Sequence, residues 1–472
     1  MKIKRILFYV IVLIMLAGII NVEPVNAATL PPNEPWKTEV VDATPYAFPG
    51  QYVSIAHHPI SGRAYISYYD AEYEELIMAR EVAPGTGDCY GNHDWDCTIV
   101  TYGNDVGRYS SIDVDWVVPG GPTMPYTKVG ISYYDATQKS LMYAQTLNPA
   151  GGWTTWTKQE IDDSTLNSNV RGTYSSLKFT SDHKPVIAYH YSSFIGTGFI
   201  GGVKIASFNS SGTGAGCYGE YAAYWDCDYV SSLMGHTDYG IHVSLDLAGD
   251  DTIHIGFYDS FNSRLVWATY WGFGGSCDNN EWNCVIVDGA GDVGQFVSIH
   301  APKSSSDKLR FAYFDNTTSL GRVKYAVQVS SGGNCTSSIF NCFDVDQIGD
   351  PAGHIGISLS VDKQGYPIIA YMDASSSFSA TKLKVARPAL AYGITYGNCG
   401  EVSPGDLFLY WQCDLVDPGY QDIVNEAAFA AVSVSPAGLA TIAYYEYDSY
   451  NDVGRLKVAQ QYFTLYLPLI KK

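Results

Sequence analysis

Apolar residues come along this chain in short blocks of four to eight, separated by clusters of Gly, Asp, Asn, Ser and Thr, the pattern of strands and turns rather than of helices. One block, Tyr65-Ile-Ser-Tyr-Tyr-Asp70, is followed by Leu76-Ile-Met-Ala79. The same pair returns as Val129-Gly-Ile-Ser-Tyr-Tyr-Asp135 with Leu141-Met-Tyr-Ala144, and then five more times. The later copies carry Ile187-Ala-Tyr-His190, Ile255-Gly-Phe-Tyr258, Phe311-Ala-Tyr-Phe314, Ile369-Ala-Tyr-Met372 and Ile442-Ala-Tyr-Tyr445. Self-similarity at a fixed period of about 60 residues decides the architecture first, because each unit can bury its apolar faces only against the next.

Four segments make up each unit. Ahead of the aromatic block stands a strand with a small residue near its centre, at Ser54, Ser111, Ser176, Ser244, Ser298, Ser358 and Ala431. After the Leu-x-x-Ala block comes a segment that opens on an aromatic and ends β-branched, such as Trp95 to Val100 or Trp282 to Val287. Six of these fourth segments follow a third one. The seventh lies at the other end of the chain, in Trp36-Lys-Thr-Glu-Val-Val41. The pattern predicts an all-β, seven-bladed β-propeller with four-stranded blades, its last blade closed by the N-terminal strand. Closure leaves only short, protected edges. Blades buried on both faces account for strands that are apolar throughout rather than strictly alternating. A single open sandwich would explain neither the sevenfold period nor the displaced strand.

Composition adds the compartment. The 472 residues hold 46% hydrophobic and only 16% charged positions, with 38 Tyr and 46 Gly, which suits strands and tight turns. A formal charge of −20 argues against nucleic acid and anionic membranes as partners. Lys2, Lys4 and Arg5, an apolar run from Ile6 to Ile20 and Val25-Asn-Ala27 read as a cleavable export signal over residues 1–27. The propeller is then expected over 28–461. The tail 462–472 resembles short surface-retention endings and is too short to span a bilayer. Ten cysteines fall into local pairs, one per repeat where present: Cys89 with Cys97, Cys217 with Cys227, Cys277 with Cys284, Cys335 with Cys342 and Cys399 with Cys413. In an exported chain these read as disulfides within loops; the spacings lack the form of zinc sites.

Candidate chemistry is sparse. An acid ends the second strand of six repeats: Asp70, Asp135, Asp259, Asp315, Asp373 and Glu446. Such a ring could hold Ca²⁺ or bind sugar hydroxyls, or each acid could cap its own turn. The third repeat breaks the pattern, with His190 and Tyr191 in place of the acid and an insertion, Ser192 to Gly202, that reads as an adaptable glycine-rich loop on a binding face. No metalloprotease, phosphate-loop or nucleophile-elbow motif is present, and no catalytic residue is assigned.

The repeat Val361-Asp-Lys-Gln-Gly-Tyr-Pro-Ile-Ile-Ala-Tyr-Met-Asp373 with Leu383-Lys-Val-Ala386 resembles a family of exported bacterial β-propeller repeat proteins. The ring is more distantly similar to sialidase-like and fucose-lectin propellers. That resemblance implies a propeller fold. It transfers no catalytic residue, because Cys…Trp-x-Cys stands where sialidases carry their Asp box, and Arg63, Arg108, Arg171, Arg264 and Arg310 form no marked triad. The resulting expectation is a secreted or surface-retained monomer, a non-catalytic binding or scaffold module for a glycan or protein ligand, with no cofactor other than Ca²⁺. The alternative is a sialidase-like glycoside hydrolase or polysaccharide lyase.

Overall fold

In the computed structural model, the described residues are 36–462 except 121–123, 149–152, 154, 164–168, 197, 349–355, 374–381, 401–409, 420–428 and 449. The segment read from the sequence as an export signal (1–27) and all but the first residue of the tail lie outside them. Seven four-stranded antiparallel sheets follow one another as blades I to VII, at residues 49–101, 106–162, 170–234, 241–288, 293–347, 357–417 and 430–461. Trp36–Asp42 completes blade VII, pairing Trp36 with Gln461, Thr38 with Ala459 and Val40 with Lys457. The ring therefore closes as the displaced strand requires.

The second strand of each blade is the most enclosed: every residue of Ala64–Asp70 and of Pro367–Asp373 is buried. The small residues on the innermost strands do more than relieve crowding. Ser54 Oγ accepts the Ile112 N–H of the next blade at 3.2 Å, and Ser111, Ser176, Ser244, Ser298 and Ser358 do the same for Leu177, Leu245, Ile299, Leu359 and Val432. These bonds stitch six interfaces around the axis. At the seventh, between blades VII and I, Ala431 has no oxygen to offer.

A second set of interblade contacts joins the second strand of one blade to the outer strand of the blade before it. Tyr68, Tyr189, Tyr313 and Tyr371 donate to Asp42, Asp162, Asp288 and Asp346, each at 2.7 Å, and Tyr444 donates to Asp417 at 2.5 Å. In four of these, a lysine of the third strand meets the same carboxylate: Lys204, Lys324, Lys384 and Lys457.

All five cysteine pairs expected from the repeat are bonded as disulfides. Cys89 is joined to Cys97, Cys217 to Cys227, Cys277 to Cys284, Cys335 to Cys342 and Cys399 to Cys413. The second cysteine of each pair lies in an outer strand: Cys97, Cys227, Cys284, Cys342 and Cys413 sit two residues after the aromatic that opens it. Each bridge thus ties a surface loop to the strand that follows it, and a loop this short gains about 2–3 kcal/mol from its bridge.

Innermost strands open with a bulge in which a glycine is followed two residues later by a residue in the left-handed region: Tyr52, Tyr109, Tyr174, His242 and Phe296, at φ between 49° and 54°. A non-glycine residue there costs on the order of 1 kcal/mol. Here the cost is offset by rings that pack against one another around the axis, mostly tilted or edge-on, with centroids 4.2 to 4.9 Å apart from Phe429 through to Phe296. The bulge turns each ring out of its own sheet and onto the ring of the next blade.

Candidate functional site

The acids predicted at the ends of the second strands are committed to their own blades. Asp70 Oδ1 accepts from the Phe48 and Glu72 amides at 3.1 and 3.0 Å. Asp135 Oδ1 accepts from Thr137 and Gln138 at 2.9 and 2.8 Å, and Asp315 Oδ1 from Thr317 at 2.9 Å. Asp259 takes the Asn262 amide and Arg264 Nε, and Asp373 pairs with Lys384. These five carboxylates are buried. Asp70, Asp135, Asp259 and Asp315 each accept amides of the turn that follows their strand. Glu446 differs. Its strand continues to Asp448, which takes the turn amides of Tyr450 and Asn451, while Glu446 pairs sideways with Arg455 and Lys457. Among the described residues no group of three or more His, Cys, Asp or Glu side chains is placed to hold a metal ion.

The broken repeat borders a cavity. In blade III the expected loop is instead a longer hairpin: Pro185–Ile195 and Gly198–Phe208 stay paired out to Ile195 and Gly198. Gly201 and Gly202, read as loop residues, sit inside the ladder where a side chain has no room. A Cβ on Gly202 would lie 2.3 Å from the Ser231 carbonyl oxygen and 2.7 Å from Tyr191 Cε1. Phe194 and Phe199 close the hairpin tip with their rings 5.1 Å apart, edge to face.

At the base of that hairpin lies a cavity of about 500 Å³, lined by Arg171, Tyr191, Ser193, Tyr218, Tyr229 and Ser232, with Asp163, Asn169, Phe194 and Ile200 around them. Tyr191 Oη and Ser193 Oγ are buried, with Ser232 beside the phenol, and neither makes a hydrogen bond of good geometry. Tyr191 packs edge-on against Tyr229 at 5.1 Å. Arg171 Nη1 donates to the Val170 and Ser192 carbonyls at 3.2 and 3.0 Å, which fixes the guanidinium, while Nε has no hydrogen-bond partner.

Beneath the cavity Asp162 Oδ2 receives Lys204 Nζ at 2.6 Å and Tyr189 Oη at 2.7 Å, with Arg171 Nε 3.6 Å away. Burial pulls the Lys204 ammonium below its ordinary range, against the pull of Asp162. The second predicted residue of this repeat, His190, lies behind the cavity wall rather than in it. Nε2 faces the Thr237 carbonyl at 2.9 Å, which can only accept, so the proton sits there and Nδ1 accepts from Thr173 Oγ1 at 2.8 Å. Burial lowers its pKa to about 4, so the ring is neutral.

The arrangement brings a fixed cation, hydroxyls and aromatic faces into one depression, the set that holds a small polar ligand with an apolar side. Of the individually predicted site residues Tyr191 lines it, joined by Ser193, Phe194 and Ile200 of the predicted insertion. Arg171 does not stand out among the arginines of the sequence. Its signal is positional: Pro49, Val106, Tyr239 and Val293 precede the bulge glycine in other blades, and Arg171 precedes it here.

These features define the class of molecule, a disulfide-stapled seven-bladed propeller with one blade modified around a cavity. No family model and no curated protein matches the chain. Among solved structures it is similar to AofleA from Arthrobotrys oligospora, at 9% identity over 91% of this chain and 90% of that one, with a TM-score of 0.40. A variant of that protein with three arginines replaced aligns at 11% identity over 90% and 86%, with a TM-score of 0.39. The core factor of S. cerevisiae aligns at 7% identity over 92% of this chain and 62% of that one, with a TM-score of 0.39. The propeller rests on the strand pairing itself, and no ligand or activity passes from those proteins to this chain.

Proposed function

We propose that this chain is an exported, non-catalytic binding propeller that holds a saccharide in the blade III cavity. One observation carries the reading. The cavity occurs at the single repeat whose second strand lacks the terminal acid, and it combines half-open tyrosine faces (Tyr218, Tyr229) with buried, unpartnered hydroxyls (Tyr191, Ser193). Sugars need both, a stacking surface for the apolar ring face and fixed polar groups for the hydroxyls. The acids of the other blades are occupied by turn amides and lysines, which leaves this depression as the better candidate. Export rests on the basic and apolar head of the chain, and surface retention on the tail.

A glycan array probed with the purified protein, with and without EDTA, tests the reading, and a panel of fluorogenic glycosides run beside it tests for hydrolysis. Saturable binding that Tyr229→Ala lowers at least tenfold, with no glycoside cleaved, is expected. Absence of any bound glycan, or binding unchanged in folded Tyr229→Ala, overturns it.

A further inference from the structure

The register of blade III carries more than a cavity. Across the two inner strands, Pro49 faces Asp70 in blade I, Val106 faces Asp135 in blade II and Val293 faces Asp315 in blade V. At the same place in blade III, Arg171 faces Tyr191. An apolar residue has become a cation and a carboxylate has become a phenol, so one negative charge is lost and one positive gained. No other described blade makes this exchange at that position.

The cation is only partly balanced by its neighbours: Asp162, its ion-pair partner, is shared with Lys204. Asp162 already receives Lys204 and Tyr189, and Arg171 Nε lies 3.6 Å from it, outside hydrogen-bond range. Asp278, the carboxylate that approaches from blade IV, accepts the Ser232 amide at 2.9 Å and Ser231 Oγ at 3.3 Å. Asp163 is the one acid lining the cavity among the described residues, and it is partly exposed. The Arg171 side chain is only 7% exposed and is held by two carbonyls, so its donors are fixed in direction before any ligand arrives.

Resting on the saccharide reading, we propose that the ligand is an acidic sugar, a hexuronate whose carboxylate pairs with Arg171 while its ring lies against Tyr229. A planar guanidinium matches a planar carboxylate, and because Arg171 and Lys204 share the one Asp162 carboxylate, a neutral sugar leaves the second buried cation without a counter-ion of its own. The net charge of −20 repels the ligand at long range, so selectivity comes from the short-range pair and survives salt.

Isothermal titration of the full-length mature protein with glucuronate and galacturonate oligomers, their methyl esters, and sulfated neutral oligomers tests the proposal. The free acids are expected to bind at least tenfold tighter than the esters, with the preference kept at 0.5 M salt (about a 4 Å Debye length). Arg171→Val, which copies blades II and V, is expected to abolish the preference while preserving thermal unfolding. Equal binding of acid and ester, a stronger response to the sulfated sugars, or a preference retained in Arg171→Val overturns the proposal. The acid–ester comparison needs no variant, so it decides the matter even if Arg171→Val fails to fold. Tight binding of neutral sugars alone sinks the acidic ligand and leaves the saccharide reading standing; binding of none sinks both.

Discussion

Arg171 and Tyr191 face each other across the inner strands of blade III, with the guanidinium carbon 5.2 Å from the centroid of the phenol ring. The two exchanges are coupled. An acid at position 191 would find no turn amides, because the hairpin runs on to Ile195, so its only available partner would be the arginine.

Tyr191→Asp is therefore expected to cost more in the Arg171→Val background than alone. The double-mutant cycle should return a coupling of about 1–3 kcal/mol. Urea unfolding of the four proteins measures it; additive effects would show that the pair is not a unit.

The Tyr–Asp–Lys contacts between blades make a second expectation. Burial pushes the Asp288 carboxyl up, but Lys324 outweighs it and holds the pKa below the usual carboxylate value. Lys324→Met leaves that carboxylate with Tyr313 and the Ala290 amide but no counter-ion, and is expected to cost about 3 kcal/mol at neutral pH. A carboxyl with a lowered folded pKa stabilises above its unfolded pKa and loses that stabilisation as pH falls through the folded one. In the variant the carboxyl is no longer held low, so this share of the acid loss should shrink, read from urea midpoints between pH 6 and 3.

The serine ring makes a third. Ser244→Ala removes the acceptor for the Ile299 amide, 3.1 Å away, and should cost about 1–2 kcal/mol. Ala431→Ser would supply the oxygen missing at the closure between blades VII and I, and is expected to raise the melting temperature by a degree or two. No gain would mean that the Ile55 amide is already satisfied there.

His190 supplies a pH dependence. Its folded pKa of about 4 lies below the ordinary 6.5 because of burial. Between those values the unfolded chain takes up a proton that the folded ring refuses, so stability falls as pH drops from 6.5 to 4. His190→Gln should flatten that part of the profile by on the order of 3 kcal/mol, the value for a fully buried ring. Identical profiles in melting experiments at pH 7 and 4.5 would overturn this.

Glu75 works in the opposite direction. Burial, then Asp70 and Asp42, push its pKa up to about 7, so the folded state holds a proton that the unfolded state releases from pH 4.5 upward. Its contribution fades as pH rises through 7. Glu75→Gln is expected to raise the melting temperature at pH 8 and leave it unchanged at pH 4.

The repeat made the architecture readable from residues alone. Strand patterns are local and recur seven times, so Trp36 stood out as a displaced fourth strand and the cysteines sorted into pairs closed within one loop. The same periodicity marked Tyr191 as an exception. It said nothing of Arg171, whose partner lies 20 residues away across a bulged ladder, or of Lys204, whose carboxylate belongs to the blade before. Sidedness, register and charge pairing across blade boundaries depend on how neighbouring sheets dock. A one-residue change in register sends a side chain to the other face, so the cavity and its guanidinium were decided only when the ring closed.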